Sequence, residues 1–202
     1  EMIAERMEGG LSFPSAWAST RQRIVFTTHT PVKAGNEEHS LKDLRRMGAC
    51  LQLSGAEMRE IGGDPFNMTV AGLRLARMAN AAAALHGETA RAMWAYVTNA
   101  APITHVTNGV HVGTWQSERI RAAMAAGDSQ ELWHAHVEHK GALIDEVERR
   151  TGTNFDRDAL TIGFARRATA YKRATLIFRD LDRLRAIAGT HPLQLVYAGI
   201  AH

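Results

Sequence analysis

Four cationic side chains and a phenol lie close together between positions 166 and 173. The cations are Arg166, Arg167, Lys172 and Arg173, and the phenol is Tyr171. Arginine binds phosphate through a bidentate fork and lysine binds it as a point charge, so this combination suits an anionic phosphate group. A basic surface turn would have the same composition, and the neighbouring elements must decide between the two interpretations.

The elements on either side of this cationic turn, defined as residues 166–173, favour an anion site. A short apolar run at 160–165 is typical of a buried strand, and the pattern predicts a helix over 173–188. The N-terminus of such a helix would offer unpaired N–H groups and the positive end of its dipole, which both attract anions. A second strand is predicted at 193–198, so the segment is expected to form a β-α-β unit with parallel strands.

Composition excludes several classes of protein. The chain has 202 residues and a formal net charge of +3, without a block of like charges that would indicate a nucleic-acid-binding arm. Its one cysteine, Cys50, cannot form an internal disulfide, which favours a reducing cytoplasmic compartment. The longest apolar runs are far too short to span a bilayer. We therefore expect a cytoplasmic protein with neither nucleic acid nor membrane as a partner.

The first half of the chain is predicted to be mostly helical, with one strand at 24–26 that runs into a loop containing His29. An extended segment at 103–112 carries the turn signal Asn108-Gly109, and we expect a domain boundary near 105–115. The predicted helices are 2–8, 14–22, 41–62 with a break at Ser54-Gly55, 67–85, 87–97, 117–126 and 130–150.

The chain begins inside a helical pattern and stops where a predicted strand ends, so we expect an internal fragment of a larger enzyme.

Four segments occur in a characteristic order: Phe26–Asn36, Asn67–Glu88, Thr107–Trp115 and Leu160–Arg173. Together they resemble the α-glucan phosphorylases, the family of glycogen, starch and maltodextrin phosphorylases, and most of all its shorter bacterial and archaeal branch. The resemblance implies an α/β, two-lobed glycosyltransferase fold of the B type (GT-B). Residues 1–107 would be the helical end of the N-terminal lobe, and residues 108–202 would begin the Rossmann-like C-terminal lobe with its first β-α-β unit.

The same resemblance implies an activity and a cofactor. The expected reaction is phosphorolysis of an α-1,4-glucan or maltodextrin by inorganic phosphate, which yields glucose 1-phosphate. Pyridoxal 5′-phosphate is the expected cofactor, and in this family its phosphate exchanges a proton with the substrate phosphate. The lysine that anchors the cofactor is expected downstream of His202, so this chain alone should not turn over substrate.

Site residues follow from the matching motifs. Arg167 and Lys172 are expected to be catalytic by holding the substrate phosphate, with Arg166 and Lys172 also facing the cofactor. His29, Asn108 and Tyr171 are expected to bind substrate, the first two at the glucosyl group. Asn80, His86 and Glu88 are expected mainly to pack and to form hydrogen bonds that support the site.

One segment and two positions depart from the family pattern, the segment being residues 37–60, which match it poorly. Ala81 follows Asn80 where glycine is usual, which alters a close contact. Ile200 stands where the family has lysine in an Ala-Gly-Lys-Ala-His segment, so a cation near the cofactor is missing.

Three alternatives compete with this reading. A nucleotide-sugar glycosyltransferase of the same two-lobed fold, such as a glycogen synthase, would also need cations for its diphosphate leaving group. A basic nucleic-acid module is weakly permitted, but aromatic residues do not alternate with the cations. His134, His136 and His139 share one predicted helix, yet no cysteine or acidic motif completes a zinc signature, and we expect them to be exposed.

Overall fold

The structure is a computed structural model that describes residues 1–200, and it is a mixed α/β chain with parallel sheets. The helices are α1 (Met2–Glu8), α2 (Phe13–Arg21), α3 (Leu41–Arg46), α4 (Gly55–Gly62), α5 (Met68–Leu75), α6 (Ala84–Met93), α7 (Val112–Trp115), α8 (Glu118–Ala126), α9 (Ser129–Thr151) and α10 (Leu181–Thr190). The strands are β1 (Val25–Thr28), β2 (Glu38–His39), β3 (Phe66–Asn67), β4 (Met78–Ala81), β5 (Ile103–His105), β6 (Leu160–Ala165) and β7 (Leu193–Ala198).

The chain divides into two units, Glu1–Val110 and His111–His202. Ala201 and His202, the last residues of the Ala-Gly-Ile-Ala-His segment, lie outside the described residues. The assignment of residues 1–107 and 108–202 to two lobes stays a prediction.

A three-stranded parallel sheet forms the centre of the first unit, in the order β1-β4-β5. One face of this sheet is apolar, with Phe26, Ala79 and Ile103 in register across the three strands. These residues belong to or pack against a cluster around the fully buried Leu73 and the buried Trp94. A second cluster joins α1, α2 and α4 through residues such as Ile3, Phe13, Met58 and Ile61. Helix α5 contacts β1, and α2 and α4 pack against α5.

The predicted helix 67–85 is wrong, and so is the expectation of a helical N-terminal part with one strand. Helix α5 ends at Leu75, and residues 78–81 form the central strand β4. Ala79 and Ala81 are completely buried between β1 and β5. Alanine has a high helix propensity, but its small side chain also allows two packed layers to approach closely. Residues 78–81 form a strand because their backbone pairs with β1 on one side and with β5 on the other.

The second unit contains a helical hairpin, α8 and α9, followed by the parallel pair β6-β7. Gly152 ends α9 in the left-handed conformation at φ 70°, two residues after the end of the predicted helix 130–150. The hairpin carries ion pairs of Arg119 with Glu131 and Glu138. Near the end of α9, hydrogen bonds from Arg149 and Arg150 lower the pKa of Glu146 to about 2.

Both strands of the β6-β7 pair have the bounds that the sequence predicts, and their parallel pairing confirms the β-α-β unit. The helix predicted over 173–188 is wrong at its beginning. Arg173 adopts the left-handed conformation at φ 56°, a 3₁₀ turn follows at Leu176–Phe178, and α10 begins only after Asp180, whose side chain accepts a hydrogen bond from the Arg183 N–H. A left-handed residue interrupts a helix, so the cationic turn does not lie at a helix N-terminus.

Candidate functional site

Two predicted substrate residues, His29 and Asn108, lie at the carboxyl edge of the three-stranded sheet. His29 directly follows β1, and Asn108 lies three residues beyond the end of β5. The Asn108 N–H donates to the carbonyl of Ala82, just after β4, at 3.1 Å. The carboxyl ends of parallel strands are the usual place for ligands in α/β proteins. Both side chains are exposed, so they are free to meet a substrate.

His86 connects the loops that follow β1 and β4. Its Nδ1 accepts a hydrogen bond from the Ala82 N–H at 3.2 Å, and its Nε2 faces the Thr30 carbonyl at 3.4 Å. Because Nδ1 accepts, the proton of the neutral ring belongs on Nε2, which can then donate to Thr30. The half-buried imidazole thus holds the His29 loop against the loop after β4. Hydrogen bonding by His86 is therefore as the sequence predicts.

A row of polar side chains crosses the opposite face of the sheet near this edge. Thr27, Asn80 and Thr104 are in register on β1, β4 and β5, and the Thr27 hydroxyl donates to the Asn80 Oδ1 at 2.9 Å. Ala81, which replaces the usual glycine, is completely buried on the apolar face. Its methyl group is accommodated in the core beside Trp94 and Val97, so the departure leaves the sheet intact.

The cationic turn begins where β6 ends and is tied to the end of β7. The Arg166 N–H donates to the Ala198 carbonyl and the Ala168 N–H donates to the Ile200 carbonyl, both at 3.1 Å. Residues 170–172 then form a 3₁₀ turn, which is followed by the left-handed Arg173. Backbone hydrogen bonds to a second strand therefore define the position of the cations.

Gly199 allows this tie because it has no side chain. A Cβ atom at position 199 would collide with the backbone carbonyl of Arg166. Backbone cannot move aside as the end of a flexible side chain can, so only glycine fits at this close approach.

The side chains of the turn are available to an anion. Arg166, Arg167 and Arg173 are exposed, and Lys172 is half-buried with its Nζ 4.7 Å from the centre of the Tyr171 ring. Among residues 1–200, none of these four cations forms an ion pair with a carboxylate. Unpaired guanidinium and ammonium groups in one short turn provide the charge that a phosphate group requires.

The same turn contains an enclosed hydroxyl group. The Thr169 Oγ1 is buried without a hydrogen-bond partner in the described part of the protein. The backbone of Thr169 links the two predicted phosphate ligands, since its N–H donates to the Arg167 carbonyl at 2.9 Å and its carbonyl accepts from the Lys172 N–H at 3.0 Å. Thr169 therefore shapes the turn through its backbone.

The structure distributes the predicted site residues over two groups. His29 and Asn108 lie at one sheet edge in the first unit, and Arg166, Arg167, Tyr171 and Lys172 lie in one turn of the second unit. Sequence reasoning missed the bridging geometry of His86 and the roles of Thr169 and Gly199. The dipeptide Ala198-Gly199 at a strand end was the available signal for Gly199, since glycine there indicates a close backbone approach.

No group of three or more histidine, cysteine or acidic side chains in the described range 1–200 is arranged to hold a metal ion. Helix α9 exposes His134, His136 and His139; the His136 ring stacks on Trp133, and His139 Nε2 forms a hydrogen bond with the Ser117 hydroxyl.

Within residues 1–200, every helix is too short or too polar to cross a membrane.

The chain is similar to proteins of known name along its whole length. It is 34% identical to a maltodextrin phosphorylase of Thermococcus litoralis over all of this chain and 30% of that protein. It is 34% identical to a glycogen phosphorylase of Mycobacterium tuberculosis over 96% of this chain and 29% of that protein. An uncharacterized protein of Methanocaldococcus jannaschii, MJ1631, is 37% identical over 91% of this chain and 35% of its own length.

These relatives are much longer than the chain, which spans about a third of their length. The alignment with the maltodextrin phosphorylase runs over 246 positions, more than the 202 residues of this chain, so that relative contains insertions. No model of a known protein family matches the chain.

Proposed function

We propose that this chain, which belongs to the family of glycogen and maltodextrin phosphorylases and corresponds to about a third of their length, is part of an enzyme that cleaves α-1,4-glucans with phosphate. The product would be glucose 1-phosphate, and the reaction is a hexosyl transfer. The observation that carries the proposal is the similarity to named phosphorylases over the whole chain. The cationic turn supports it, because phosphorolysis requires a site for a phosphate anion.

The proposed fold of the parent protein is the two-lobed GT-B fold. The parallel β6-β7 pair with its crossover is compatible with the beginning of a Rossmann-like lobe. The three-stranded parallel sheet β1-β4-β5 would belong to the other lobe, which therefore contributes a sheet edge as well as helices.

In this proposal, Arg167 and Lys172 hold the phosphate that attacks the glucosyl group. A phosphate and a second phosphoryl group at close range repel each other, by about 4 kcal/mol per pair of unit charges at 4 Å and an effective dielectric constant of 20. Cations that are fixed before the reaction offset this repulsion without reorganising. Lys172 is the better fixed of the two, since its ammonium group rests against the Tyr171 ring and its N–H bonds within the turn.

The sheet edge in the first unit would bind the sugar. Asn108 offers both an amide donor and an amide acceptor, and His29 offers a ring nitrogen, so both can pair with sugar hydroxyl groups. His86 would act as a positioning residue that keeps the His29 loop in place through Ala82 and Thr30.

Pyridoxal 5′-phosphate is the proposed cofactor, and its phosphate would supply the acid–base partner for the substrate phosphate. Arg166 and Lys172 are the residues of this chain that would face it. The cations of the turn, which form no ion pair within residues 1–200, fit an anionic group there. Ile200 supplies no cation, so the charge would come from the turn itself.

The experiment is a phosphorolysis assay on the full-length parent protein with maltodextrin and inorganic phosphate. The variants are Arg167→Gln and Lys172→Gln, and the control is Arg179→Gln, which removes an exposed cation outside the turn. We expect kcat/KM for phosphate to fall by about 100-fold or more in the first two variants and to be unchanged in the control. Wild-type-like rates in both turn variants would contradict the assigned roles.

The same assay distinguishes phosphorolysis from the alternative reaction, glucosyl transfer from a nucleotide sugar. A nucleotide-sugar glycosyltransferase would transfer glucose from a nucleotide diphosphate sugar and would release no glucose 1-phosphate. The named relatives are phosphorylases, so this alternative is not favoured.

A cytoplasmic location, with glucan, phosphate and glucose 1-phosphate as partners, remains part of the proposal.

A further inference from the structure

A groove in the first unit lies away from the proposed sugar-binding edge. Its volume is about 690 Å³, and its lining includes Trp17 and Arg21 of α2 together with Arg77 and Met78. Arg77 and Met78 are at the amino end of β4, whereas His29 and Asn108 follow the carboxyl ends of β1 and β5. The groove is therefore at the opposite end of the sheet from the site described above.

Two side chains of this groove are held in place by the chain that enters β4. The Trp17 Nε1 donates to the Arg74 carbonyl at 3.2 Å, and the Arg21 Nε donates to the Ala76 carbonyl at 2.9 Å. Both side chains are half-buried. Their orientation is thus set before any ligand arrives, which lowers the entropic cost of binding.

The charges of the groove favour an anion with polar groups. Arg21 and Arg77 form no ion pair among residues 1–200, so their terminal guanidinium nitrogens remain as donors. Gln22, Glu60 and Asn99 add two amides and one carboxylate to the lining. Guanidinium groups bind phosphate, while amides and a carboxylate pair with hydroxyl groups and an indole ring packs against the apolar face of a sugar.

We propose that this groove binds a small phosphorylated sugar, as a site separate from the proposed catalytic residues. The phosphate pairs with Arg21 and Arg77, and the sugar hydroxyls pair with Glu60 and the neighbouring amides. The Glu60 carboxylate can accept hydrogen bonds from sugar hydroxyl groups, so a phosphorylated sugar gains contacts that inorganic phosphate alone does not make. The proposal does not depend on the proposed phosphorolysis.

The test is a titration of the ¹⁵N-labelled chain with ribose 5-phosphate, followed by two-dimensional NMR. We expect shifts of the Trp17 indole and the backbone signals of α2, and at least tenfold weaker binding in Arg77→Gln and in Arg21→Gln. Judged by the Trp17 and α2 signals, inorganic phosphate and free ribose, each alone, should bind at least tenfold more weakly than ribose 5-phosphate. Arg23→Gln, which removes the next arginine along the chain and does not line the groove, is the matched control and should bind normally.

Arg167→Gln removes a cation of the cationic turn and should leave the ribose 5-phosphate titration of the Trp17 and α2 signals unchanged, which separates the groove from the turn. Equal binding by wild type and Arg77→Gln would overturn the proposal, as would an equal loss in Arg23→Gln or shifts confined to residues 166–173. Arg77 is exposed, so Arg77→Gln tests the site even if Arg21→Gln fails to fold.

Discussion

At the scale of single residues, the cationic turn depends on a position that has no side chain. Gly199 follows β7, and the Arg166 carbonyl occupies the space where its Cβ would lie. The two hydrogen bonds that fasten the turn, from Arg166 to Ala198 and from Ala168 to Ile200, flank this contact. The geometry of the cations is thus coupled to the packing of two backbones.

We expect Gly199→Ala to displace the turn and to lower the free energy of unfolding of this region by about 1–3 kcal/mol. If the proposed phosphorolysis holds, the same change should raise KM for phosphate in that reaction, because the cations move with the backbone. Gly163→Ala in β6 is the control, since a Cβ there meets nothing within 4 Å, and its stability should change by less than about 0.5 kcal/mol. Equal urea midpoints for wild type and Gly199→Ala would refute the close contact.

Thr169 gives a second prediction at this scale. Its enclosed hydroxyl has no partner in the described residues, and such a group costs about 1–3 kcal/mol. Thr169→Val replaces the hydroxyl by a methyl group of similar size, so we expect the chain to become more stable by about 1 kcal/mol in urea unfolding. Thr169→Ser keeps the hydroxyl and should show no gain. A clear loss of stability in the valine variant would mean that the hydroxyl has a partner in solution.

At the scale of elements, helix α4 shows how local signals determine a boundary. The Ser54 hydroxyl accepts from the Glu57 N–H at 3.2 Å, and the Glu57 carboxylate accepts from the Ser54 N–H at 2.6 Å. This capping box provides acceptors for two backbone N–H groups at the start of the helix, which have no hydrogen-bond partner within the helix. It also orients α4, whose Met58 and Ile61 enter the second buried cluster.

We expect Ser54→Ala to reduce the free energy of unfolding by about 1 kcal/mol, since the N-cap acceptor is lost. The matched control is Ser12→Ala at the N-cap of α2, where the serine side chain makes no capping bond. That variant should differ from wild type by less than about 0.5 kcal/mol. Thermal and urea unfolding followed by circular dichroism would measure both, and equal losses in the two variants would exclude a specific role for the capping box.

At the scale of the whole molecule, the two units differ in how much apolar surface they bury. The first unit contains two clusters with large buried side chains such as Leu73, Trp94 and Phe13. In the described part of the second unit, the buried hydrophobic residues are Ala123, Ala135, Ile144 and Ala159. Apolar burial is the main stabilising contribution in folding, so the first unit should be the more stable one.

Hydrogen exchange measured by mass spectrometry on this chain would test the difference. We expect the backbone amides of β6 and β7 to exchange at least tenfold faster than those of the central strand β4. Local unfolding of the β6-β7 pair exposes little buried apolar surface, so it requires less free energy. Leu73→Ala should speed exchange in β4 and leave β6 and β7 unchanged, since Leu73 belongs to the first unit. Slower exchange in β6 and β7 than in β4 would contradict the predicted order.

The sequence by itself determined the elements whose signals are local. The apolar runs of β6 and β7 have their predicted bounds, the long polar helix α9 covers the predicted range 130–150, and α4 begins at the predicted break Ser54-Gly55. The clustering of Arg166, Arg167, Tyr171 and Lys172 was equally readable, because these residues are neighbours along the chain. Such features depend on residues a few positions apart, and a single sequence contains that information.

Only the tertiary structure decided the features that join distant residues. Strand β4 looks helical by composition, and it is a strand because β1 and β5, from 53 and 24 positions away at Thr27 and Thr104, pair with Asn80 on both sides. Helix α10 begins later than the predicted helix 173–188 for a related reason. The cationic turn is bound to the end of β7, and its residues adopt conformations that do not occur in a helix. Long-range backbone pairing outweighs local propensity in both places.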